Sequence, residues 1–452
     1  MDMNQEPRII TPVTRRSFLR RSGGLLGSAA LIGALDPAKF AHGAATSEEL
    51  KIALVGCGGR GSGAALDALS TLDQGPLKIV AMADVFEDKL KGALGNLSTK
   101  FPKNVDVPED RRFVGFDAYK KAIAAADVVI LATPPGFRPS HFEEAVKQGK
   151  HIFMEKPVAT DAPGVRKVLA AAAEAKKKGL KVGVGLQRRH QKGYLETIKK
   201  LQDGAIGDLV TMRAYWNGST PWLNKREDLE KRAGRKLTEM EYQMRNWYYF
   251  TWICGDHICE QHIHNLDVIN WVKGDKYPVR AQGMGGVEVR EGKDYGEIFD
   301  HHAVEFEYED GSRCFSYCRH IPNCWNSVSE HVQGTKGRSE INRYVITPTE
   351  GESWRHKDEG DRNPYQQEHA DLYDAIRNNK DYNEAERGAM SSMTAILGRL
   401  ATYSGQMIDM DKALKSEVDL FPKSLAWDAD MLVKPLPSGM YPRAIPGKSK
   451  VI

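Results

Sequence analysis

Short apolar runs alternate with helix-like segments through the first half of the chain. These runs are the strand candidates 51–55, 77–83, 127–132, 151–154 and 181–185. The segments between them have helical spacing, and one of them ends at a glycine, Gly149. Because this alternation is typical of a parallel sheet with helices on both faces, we predict an α/β fold that begins with a Rossmann-type, doubly wound domain.

The hydrophobic pattern changes after residue 186. Residues 205–220 and 278–345 alternate β-branched and aromatic residues with polar ones, which predicts an open, mainly antiparallel sheet. The segment 366–405 has helical spacing, whereas 222–250 is an insertion that is first charged and then aromatic. The predicted domains are a leader (1–45), a nucleotide-binding Rossmann domain (46–185), an α+β domain for substrate binding and oligomerisation (186–415) and a tail (416–452).

A glycine-rich turn follows the first strand candidate. It has the form G-x-G-x-x-G, with Gly56, Gly58 and Gly61 at the fixed positions and Gly59 and Arg60 between them. In a dinucleotide-binding turn the first glycine permits the tight bend, the second admits the diphosphate, and the third allows close packing of helix on strand. Because a helix-like segment follows at once, we expect the diphosphate at its N-terminus.

The second strand candidate ends on an acidic residue, Asp84. A carboxylate a little over twenty residues past the turn accepts hydrogen bonds from the adenine ribose hydroxyls, and it repels a 2′-phosphate. We therefore expect NAD rather than NADP as the cofactor.

The composition is that of a globular protein, with 41% hydrophobic and 27% charged residues. The formal net charge is only +4, so the sequence does not favour a nucleic-acid partner. The leader contains Arg15-Arg16 in the context T-R-R-S-F-L-R, followed by a mild apolar stretch and small residues near Ala45. This pattern predicts a twin-arginine signal, export to the periplasm and no membrane anchor.

Two further motifs accompany the glycine turn. Glu155-Lys156-Pro157 follows a strand candidate directly, and G-D-H-I-C-E-Q-H-I-H-N-L-D covers residues 255–267. Together with Thr133-Pro134 and His141, they make residues 49–415 resemble the Gfo/Idh/MocA family of nicotinamide-dependent sugar oxidoreductases. The resemblance implies a catalytic lysine at Lys156 and a catalytic acid and histidine at Glu260 and His264.

This chain departs from the family pattern at two positions. Glu260 stands where the family usually has aspartate, and Gly255-Asp256 replaces a pair of glycines. The resemblance also implies that Thr133, Pro134, His141, Glu155 and Lys156 line the cofactor site.

The residue types suit the oxidation of a secondary alcohol. That reaction needs a base for the hydroxyl proton and a cation beside the developing alkoxide. Because histidine titrates near neutrality, we expect His264 to be the base and Lys156 to orient the hydroxyl. If residues 257–271 form one helix, Glu260 lies one turn from His264 and can fix its tautomer or bind a neighbouring substrate hydroxyl.

Other polar side chains near these motifs have weaker support as substrate contacts. They are Arg188, His257, Asp267 and Trp247. Cys254, His257 and Cys259 also invite a zinc interpretation. The cofactor motifs already explain this region, so we expect no metal.

Three functions stay open at this stage. The first is an NAD-dependent oxidoreductase acting on a sugar, glycoside or cyclitol, with the cofactor retained because free NAD is a cytosolic metabolite. The second is a redox-neutral glycosidase that oxidises its substrate transiently and then eliminates. The third is a carbohydrate-binding protein without catalysis. The family resemblance also implies a homo-oligomer, a dimer or tetramer packed through the open sheet.

Overall fold

Six parallel strands form the first sheet. The computed structural model describes residues 48–452, and within it these strands lie in the order β3-β2-β1-β4-β5-β6. They are β1 (Leu50–Val55), β2 (Leu77–Asp84), β3 (Arg112–Val114), β4 (Val128–Leu131), β5 (His151–Met154) and β6 (Val182–Val184). β4 is buried at every residue, as expected for a parallel strand covered on both faces. The order reverses between β1 and β4, which is where doubly wound sheets form their ligand crevice.

Helices cover this sheet and connect its strands. They are α1 (Gly59–Leu69), α2 (Glu87–Lys100), α3 (Ala118–Ala124), α4 (Arg138–Lys147) and α5 (Ala162–Lys177). α5 begins at an N-cap, Asp161, whose side chain accepts a hydrogen bond from Gly164 N at 2.8 Å. Each helix starts after the carboxyl end of a strand or a short loop, so the helix N-termini face the crevice.

The second sheet has nine strands in the order β14-β13-β12-β11-β7-β10-β9-β8-β15. They are β7 (Leu209–Gly218), β8 (Arg280–Gly286), β9 (His301–Glu307), β10 (Arg313–His320), β11 (Ser327–Gly334), β12 (Gly337–Glu340), β13 (Val345–Pro348), β14 (Trp354–Arg355) and β15 (Ile408–Asp409). β7 and β10 are parallel, and the other neighbours are antiparallel. These two sheets confirm the predicted fold class.

Nine helices accompany the second sheet in the part of the chain after residue 190. They are α6 (Lys192–Gln202), α7 (Arg226–Ala233), α8 (Glu239–Arg245), α9 (Thr251–Cys254), α10 (His257–Glu260), α11 (Ile263–Val272), α12 (Pro364–Arg377), α13 (Ala385–Ser404) and α14 (Met410–Leu414). The predicted helical segment 366–405 is therefore two helices, separated at 378–384. Of these, α13 is buried along most of its length and packs against β8 and α5.

The insertion (222–250) and the tail (416–452) share one hydrophobic cluster. In the insertion Met240, Tyr242 and Tyr249 are buried, and in the tail Met431 and Tyr441 are buried against them. The insertion, which contains α7 and α8, and the largely irregular tail therefore stabilise each other by side-chain burial.

The predicted leader, including Arg15-Arg16, lies outside the described residues. None of the helices between residues 48 and 452 has the length and hydropathy that a transmembrane span requires. The predicted domain limits 46–185, 186–415 and 416–452 stay predictions.

Candidate active site

A cavity of about 990 Å³ lies at the carboxyl ends of β1, β2, β4 and β5. Its walls contain the glycine turn, the end of β2, the loop after β4, and side chains from the second half of the chain. All but one of the predicted cofactor residues line the cavity, and the exception is Gly61. Those that line it are Gly56, Gly58, Gly59, Arg60, Asp84, Thr133, Pro134, His141, Glu155 and Lys156.

Each glycine of the turn meets a different environment. Gly56 has φ +94°, and a Cβ there would lie 2.4 Å from the backbone N of Thr133. A Cβ on Gly61 would lie 1.8 Å from Gly56 O, so α1 packs directly on the end of β1. A Cβ on Gly58 would meet no protein atom within 4 Å. The cradle therefore has room at Gly58, where a dinucleotide diphosphate must approach the backbone.

The first turn of α1 has no side-chain cap, and Gly58 is its N-cap residue. Its backbone N–H groups are free to bind an anion, which the positive end of the helix favours. The residues present thus fit the diphosphate of NAD.

Asp84 ends β2 at the edge of the cavity. Its Oδ2 accepts a hydrogen bond from Cys57 N at 2.6 Å, and its Oδ1 accepts one from Phe86 N at 2.8 Å. Burial raises the pKa of the Asp84 carboxyl, and these two N–H donors oppose that rise. Each oxygen keeps a lone pair, so the carboxylate is positioned to accept hydrogen bonds from ribose hydroxyls.

Arg60 and Glu155 connect the glycine turn to the end of β5. Arg60 Nε lies 3.1 Å from Glu155 Oε1, and its NH2 group lies 2.8 Å from Asp67 Oδ2. The guanidinium also lies 5.1 Å from the ring centroid of Tyr365. These contacts hold the turn against the part of the site where the nicotinamide half of a dinucleotide would bind.

His141 closes the cavity behind the loop that follows β4. Its Nδ1 lies 3.2 Å from Thr133 Oγ1, and its ring stacks on Tyr119 with a centroid separation of 4.0 Å. Burial lowers the pKa of His141 to about 3, so the imidazole is neutral.

Arg138 organises this region and was not expected from the sequence. It is fully buried and donates to three backbone carbonyl oxygens, those of Leu131, Thr133 and Pro157, at 2.9, 2.7 and 3.1 Å. It therefore joins the carboxyl ends of β4 and β5. Burial lowers its pKa to about 10. An arginine at the start of a helix has no local signature for this role.

Lys156 and Glu260 form an ion pair inside the cavity. Lys156 Nζ lies 3.1 Å from Glu260 Oε1 and also donates to the Glu260 backbone carbonyl. Burial raises the pKa of the Glu260 carboxyl, and Lys156 opposes that rise. Residues 104 positions apart thus meet in one cluster, as the family resemblance implied.

His264 lies in the same cavity, with its ring stacked on Trp216 at a centroid separation of 6.0 Å. Its buried Nδ1 has no hydrogen-bond partner. Burial lowers the pKa of His264 well below its usual range, and the charges of Lys156 and Arg188 lower it further. The sequence analysis assumed the ordinary, near-neutral pKa of histidine for His264, and the pKa in the folded protein is lower than that.

The segment that carries Glu260 and His264 is not one helix. α10 ends at Glu260 and α11 begins at Ile263, and Gln261 between them has φ −111°, well away from the α-helical value of about −63°. The single helical face predicted over residues 257–271 was therefore wrong. No hydrogen bond joins Glu260 and His264 among residues 48–452, so Glu260 holds Lys156 rather than the histidine tautomer.

Of the weaker substrate candidates, only Trp247 lines the cavity. Arg188 pairs with the buried Glu330. Asp267 accepts two hydrogen bonds from Arg189, both at 2.8 Å. Their charges are paired inside the fold and neither residue lines the cavity, so their placement at the substrate stays a prediction.

His257, the remaining candidate, is completely buried in a polar cluster behind the cavity. Its Nδ1 lies 2.8 Å from Asp256 Oδ1, and its Nε2 has no partner. Asp256, His257 and His302 have ligand-type atoms within 4.8 Å of one another. Asp256 also accepts hydrogen bonds from Phe299 N at 3.0 Å and Tyr403 OH at 2.6 Å. Hydrogen bonding accounts for this cluster, while the expectation of no metal stays a prediction.

The same hydrogen bonds hold Asp256 in an unusual backbone conformation. Its φ is +74°, a region that non-glycine residues adopt at a cost of about 1–3 kcal/mol. The hydrogen bonds from its neighbours hold it there.

Comparison with known proteins supports the geometry of the first half. Residues 50–185 match a family model described as "Oxidoreductase family, NAD-binding Rossmann fold". The segment matches the Gfo/Idh/MocA family. This match confirms the prediction of an NAD-binding Rossmann fold in that segment, and with it NAD as the cofactor.

Two curated relatives are similar to this chain over part of its length. An inositol 2-dehydrogenase/D-chiro-inositol 3-dehydrogenase of Halalkalibacterium halodurans is 26% identical over 201 residues, 44% of this chain and 46% of the relative. A 2,7-anhydro-N-acetylneuraminate hydratase of Escherichia coli is 26% identical over 219 residues, 48% of this chain and 51% of the relative. The match thus spans about half the length of each.

The fold as a whole resembles that of solved Gfo/Idh/MocA-type structures. Scyllo-inositol dehydrogenase from Lactobacillus casei with bound NAD(H) and scyllo-inositol superposes with a TM-score of 0.59 at 20% identity. The superposition covers 80% of this chain and 100% of that chain. At this identity the likeness shows a shared fold.

Proposed function

We propose that this protein is an NAD-dependent oxidoreductase that oxidises a secondary hydroxyl of a sugar, glycoside or cyclitol. The observation that carries the proposal is the grouping of Lys156, Glu260 and His264 in the cavity that also contains the glycine turn and Asp84. The two curated relatives described above are named as an inositol dehydrogenase and a 2,7-anhydro-N-acetylneuraminate hydratase, and these names, both of polyhydroxylated compounds, support this substrate class.

Each side chain of the cluster has a distinct task. NAD, when bound, accepts the hydride from the alcohol carbon. His264 accepts the hydroxyl proton, because its imidazole lies in the same cavity as Lys156. Lys156 donates a hydrogen bond to the developing alkoxide. Glu260 holds Lys156 in position through their ion pair, and it can also accept a hydrogen bond from a neighbouring substrate hydroxyl.

We further propose that the cofactor stays bound through turnover. The experiment is an absorbance spectrum of the purified, dialysed protein as sugars, glycosides and cyclitols are added one at a time. Bound NAD that becomes NADH with one compound and reverts with a second would support retained-cofactor hydride exchange. Loss of NAD during dialysis would refute retention. Absence of nucleotide binding even with NAD supplied would favour the carbohydrate-binding protein without catalysis.

A redox-neutral reaction is the second candidate, and the similarity to a hydratase favours it. Here the hydroxyl is oxidised to a ketone, which acidifies the neighbouring C–H bond. A base removes that proton, the glycosidic oxygen leaves, water adds, and the hydride returns to the ketone. Release of an aglycone with no net change in NADH distinguishes this outcome from net oxidation.

We propose that the mature protein is exported through the twin-arginine route. The support is the motif around Arg15-Arg16. Residues 1–45 fused to a folded reporter should direct it to the periplasm, and Arg15→Lys with Arg16→Lys should keep it in the cytoplasm. Periplasmic reporter in the double variant would contradict this route.

We also propose a homo-oligomer formed through the second sheet. Trp325 is 65% exposed there, and it packs edge-on against Tyr215, which stacks on Tyr317. Light scattering should give a dimer or tetramer, and Trp325→Lys should lower the measured mass. A monomeric wild-type protein would contradict the proposal.

A further inference from the structure

The outer wall of the cavity comes from the insertion (222–250), not from the Rossmann half. Leu229, Arg232 and Ala233 of α7 line the cavity together with Met244 and Arg245 of α8. The glycine turn and Asp84 line the same cavity. The insertion therefore shares the cavity with the cofactor-binding turn.

Arg245 shows which part of the cofactor site the insertion covers. Its guanidinium lies 3.9 Å from the ring centroid of Phe86, and it pairs with Asp88 at 3.3 Å. These two residues come two and four positions after Asp84, the carboxylate placed for the adenine ribose. Arg245 consequently lies at the adenosine end of the site, far along the cavity from Lys156.

The tail (416–452) holds the insertion from behind. Gln243 Nε2 donates to Val433 O at 2.8 Å, and Arg226 donates to Tyr441 OH at 2.9 Å. Trp427 packs on Phe86 with ring centroids 5.6 Å apart, so the tail also reaches the Rossmann half beside Asp84.

We propose that the insertion and the tail form a clasp over the adenosine diphosphate half of NAD, in which Arg245 and Arg232 contact the cofactor. The diphosphate is an anion, and both arginines line the cavity that contains the turn expected to bind it. The clasp gives a structural basis for cofactor retention, so it rests on that part of the proposed function. It adds cofactor-binding residues that lie outside the Rossmann segment 50–185.

The test is the rate of NADH release from the full-length protein, measured without any sugar. NADH fluorescence is followed after mixing the NADH complex with excess NAD. Arg245→Met should release NADH about 10- to 100-fold faster, as expected for the loss of one charge-assisted hydrogen bond. Arg232→Met, at an exposed position on α7, should also accelerate release and is a variant with little risk to folding.

Arg235→Met is the matched control. Arg235 belongs to the same insertion and pairs with Glu241 at 2.8 Å, but it does not line the cavity. Its NADH release should equal that of the wild type. Equal acceleration in Arg235→Met and Arg245→Met would mean general loosening of the insertion and would overturn the proposal. Wild-type release from both Arg245→Met and Arg232→Met would overturn it as well.

Binding of cofactor fragments locates the contact. Arg245→Met should weaken ADP binding by a similar factor, whereas binding of nicotinamide mononucleotide should not change. Weakening of the mononucleotide alone would place Arg245 at the wrong half and overturn the proposal. Because no sugar is present, failure of the sugar reaction leaves these results intact. Sugar-dependent NADH formation by the wild type, together with unchanged NADH release from the arginine variants, would reject the clasp and leave the proposed function standing.

Discussion

Alanine at two glycines of the same turn should give opposite results. In Gly61→Ala the new Cβ would lie 1.8 Å from Gly56 O, whereas non-bonded heavy atoms prefer a separation of about 3.5 Å. α1 must therefore move away from β1. Overpacking of this severity costs about 3 kcal/mol, and the better helix propensity of alanine returns about 1 kcal/mol. We expect a net loss of about 2 kcal/mol in the free energy of unfolding.

Gly58→Ala should leave the fold intact and weaken cofactor binding. Its Cβ meets no protein atom within 4 Å, and its φ of −71° suits any residue. The free energy of unfolding should change by less than about 1 kcal/mol, the cost of replacing glycine at an N-cap. The Cβ projects where the diphosphate must lie, so one charge-assisted hydrogen bond is lost and NADH affinity falls roughly 10- to 100-fold.

Urea unfolding and NADH titration by fluorescence measure the two quantities separately. Gly92→Ala is the control, because Gly92 is exposed on α2, has open space at its Cβ and lies outside the cavity. It should be slightly more stable than the wild type and bind NADH normally. Unchanged NADH affinity in Gly58→Ala would refute the placement of the diphosphate, and unchanged stability in Gly61→Ala would refute the packing argument.

Three further predictions concern buried charges. Lys156→Ala should still bind NADH but lose about a hundredfold in turnover; unchanged turnover would remove Lys156 from the reaction. Burial disfavours the charged form of His190, but the neighbouring carboxylates of Glu384 and Asp371 favour it more strongly and raise the pKa of His190 to about 10. The pKa of histidine in the unfolded chain is about 6.5. The contribution of charged His190 to folding stability is therefore complete below that pH and is lost as the pH rises towards 10. Over this pH range the urea midpoint of His190→Gln should fall less than that of the wild type, and an equal fall in both proteins would contradict the assignment. Arg138→Met should cost about 3 kcal/mol or more in urea unfolding, because three buried carbonyls lose their donor; near-wild-type stability would contradict that role.

The parts of the fold that depend on local pattern were predictable from the sequence. Five of the six strands of the first sheet are largely apolar runs, and the glycine turn needs only the six residues that form it. The sixth, β3, is a short strand with two exposed residues and was not predicted. The meeting of Lys156 with Glu260 was predictable only through the family resemblance. No periodicity relates residues 104 positions apart, and their contact depends on how two sheets pack.

The position of the insertion (222–250) beside the cavity could not be predicted for a related reason. The insertion reads as charged and then aromatic, a pattern that suits a surface loop as well as a wall. Its position depends on burial shared with the tail, for example at Met431 and Tyr441. Hydrophobic burial is not directional, so the sequence of each segment does not identify its partner.

The prediction of a single helical face over residues 257–271 was wrong for one physical reason. Spacing of three and four residues places side chains on one face only while the helix continues, and this helix is interrupted at Gln261. The interruption leaves Glu260 and His264 in the cavity with different partners, a lysine and a tryptophan ring. Asp267 accepts a hydrogen bond from Arg189, and His257 Nδ1 lies beside its chain neighbour Asp256. Burial lowers the pKa of His264, and the nearby charges of Lys156 and Arg188 lower it further, with no carboxylate of the described residues hydrogen-bonded to the ring to oppose them.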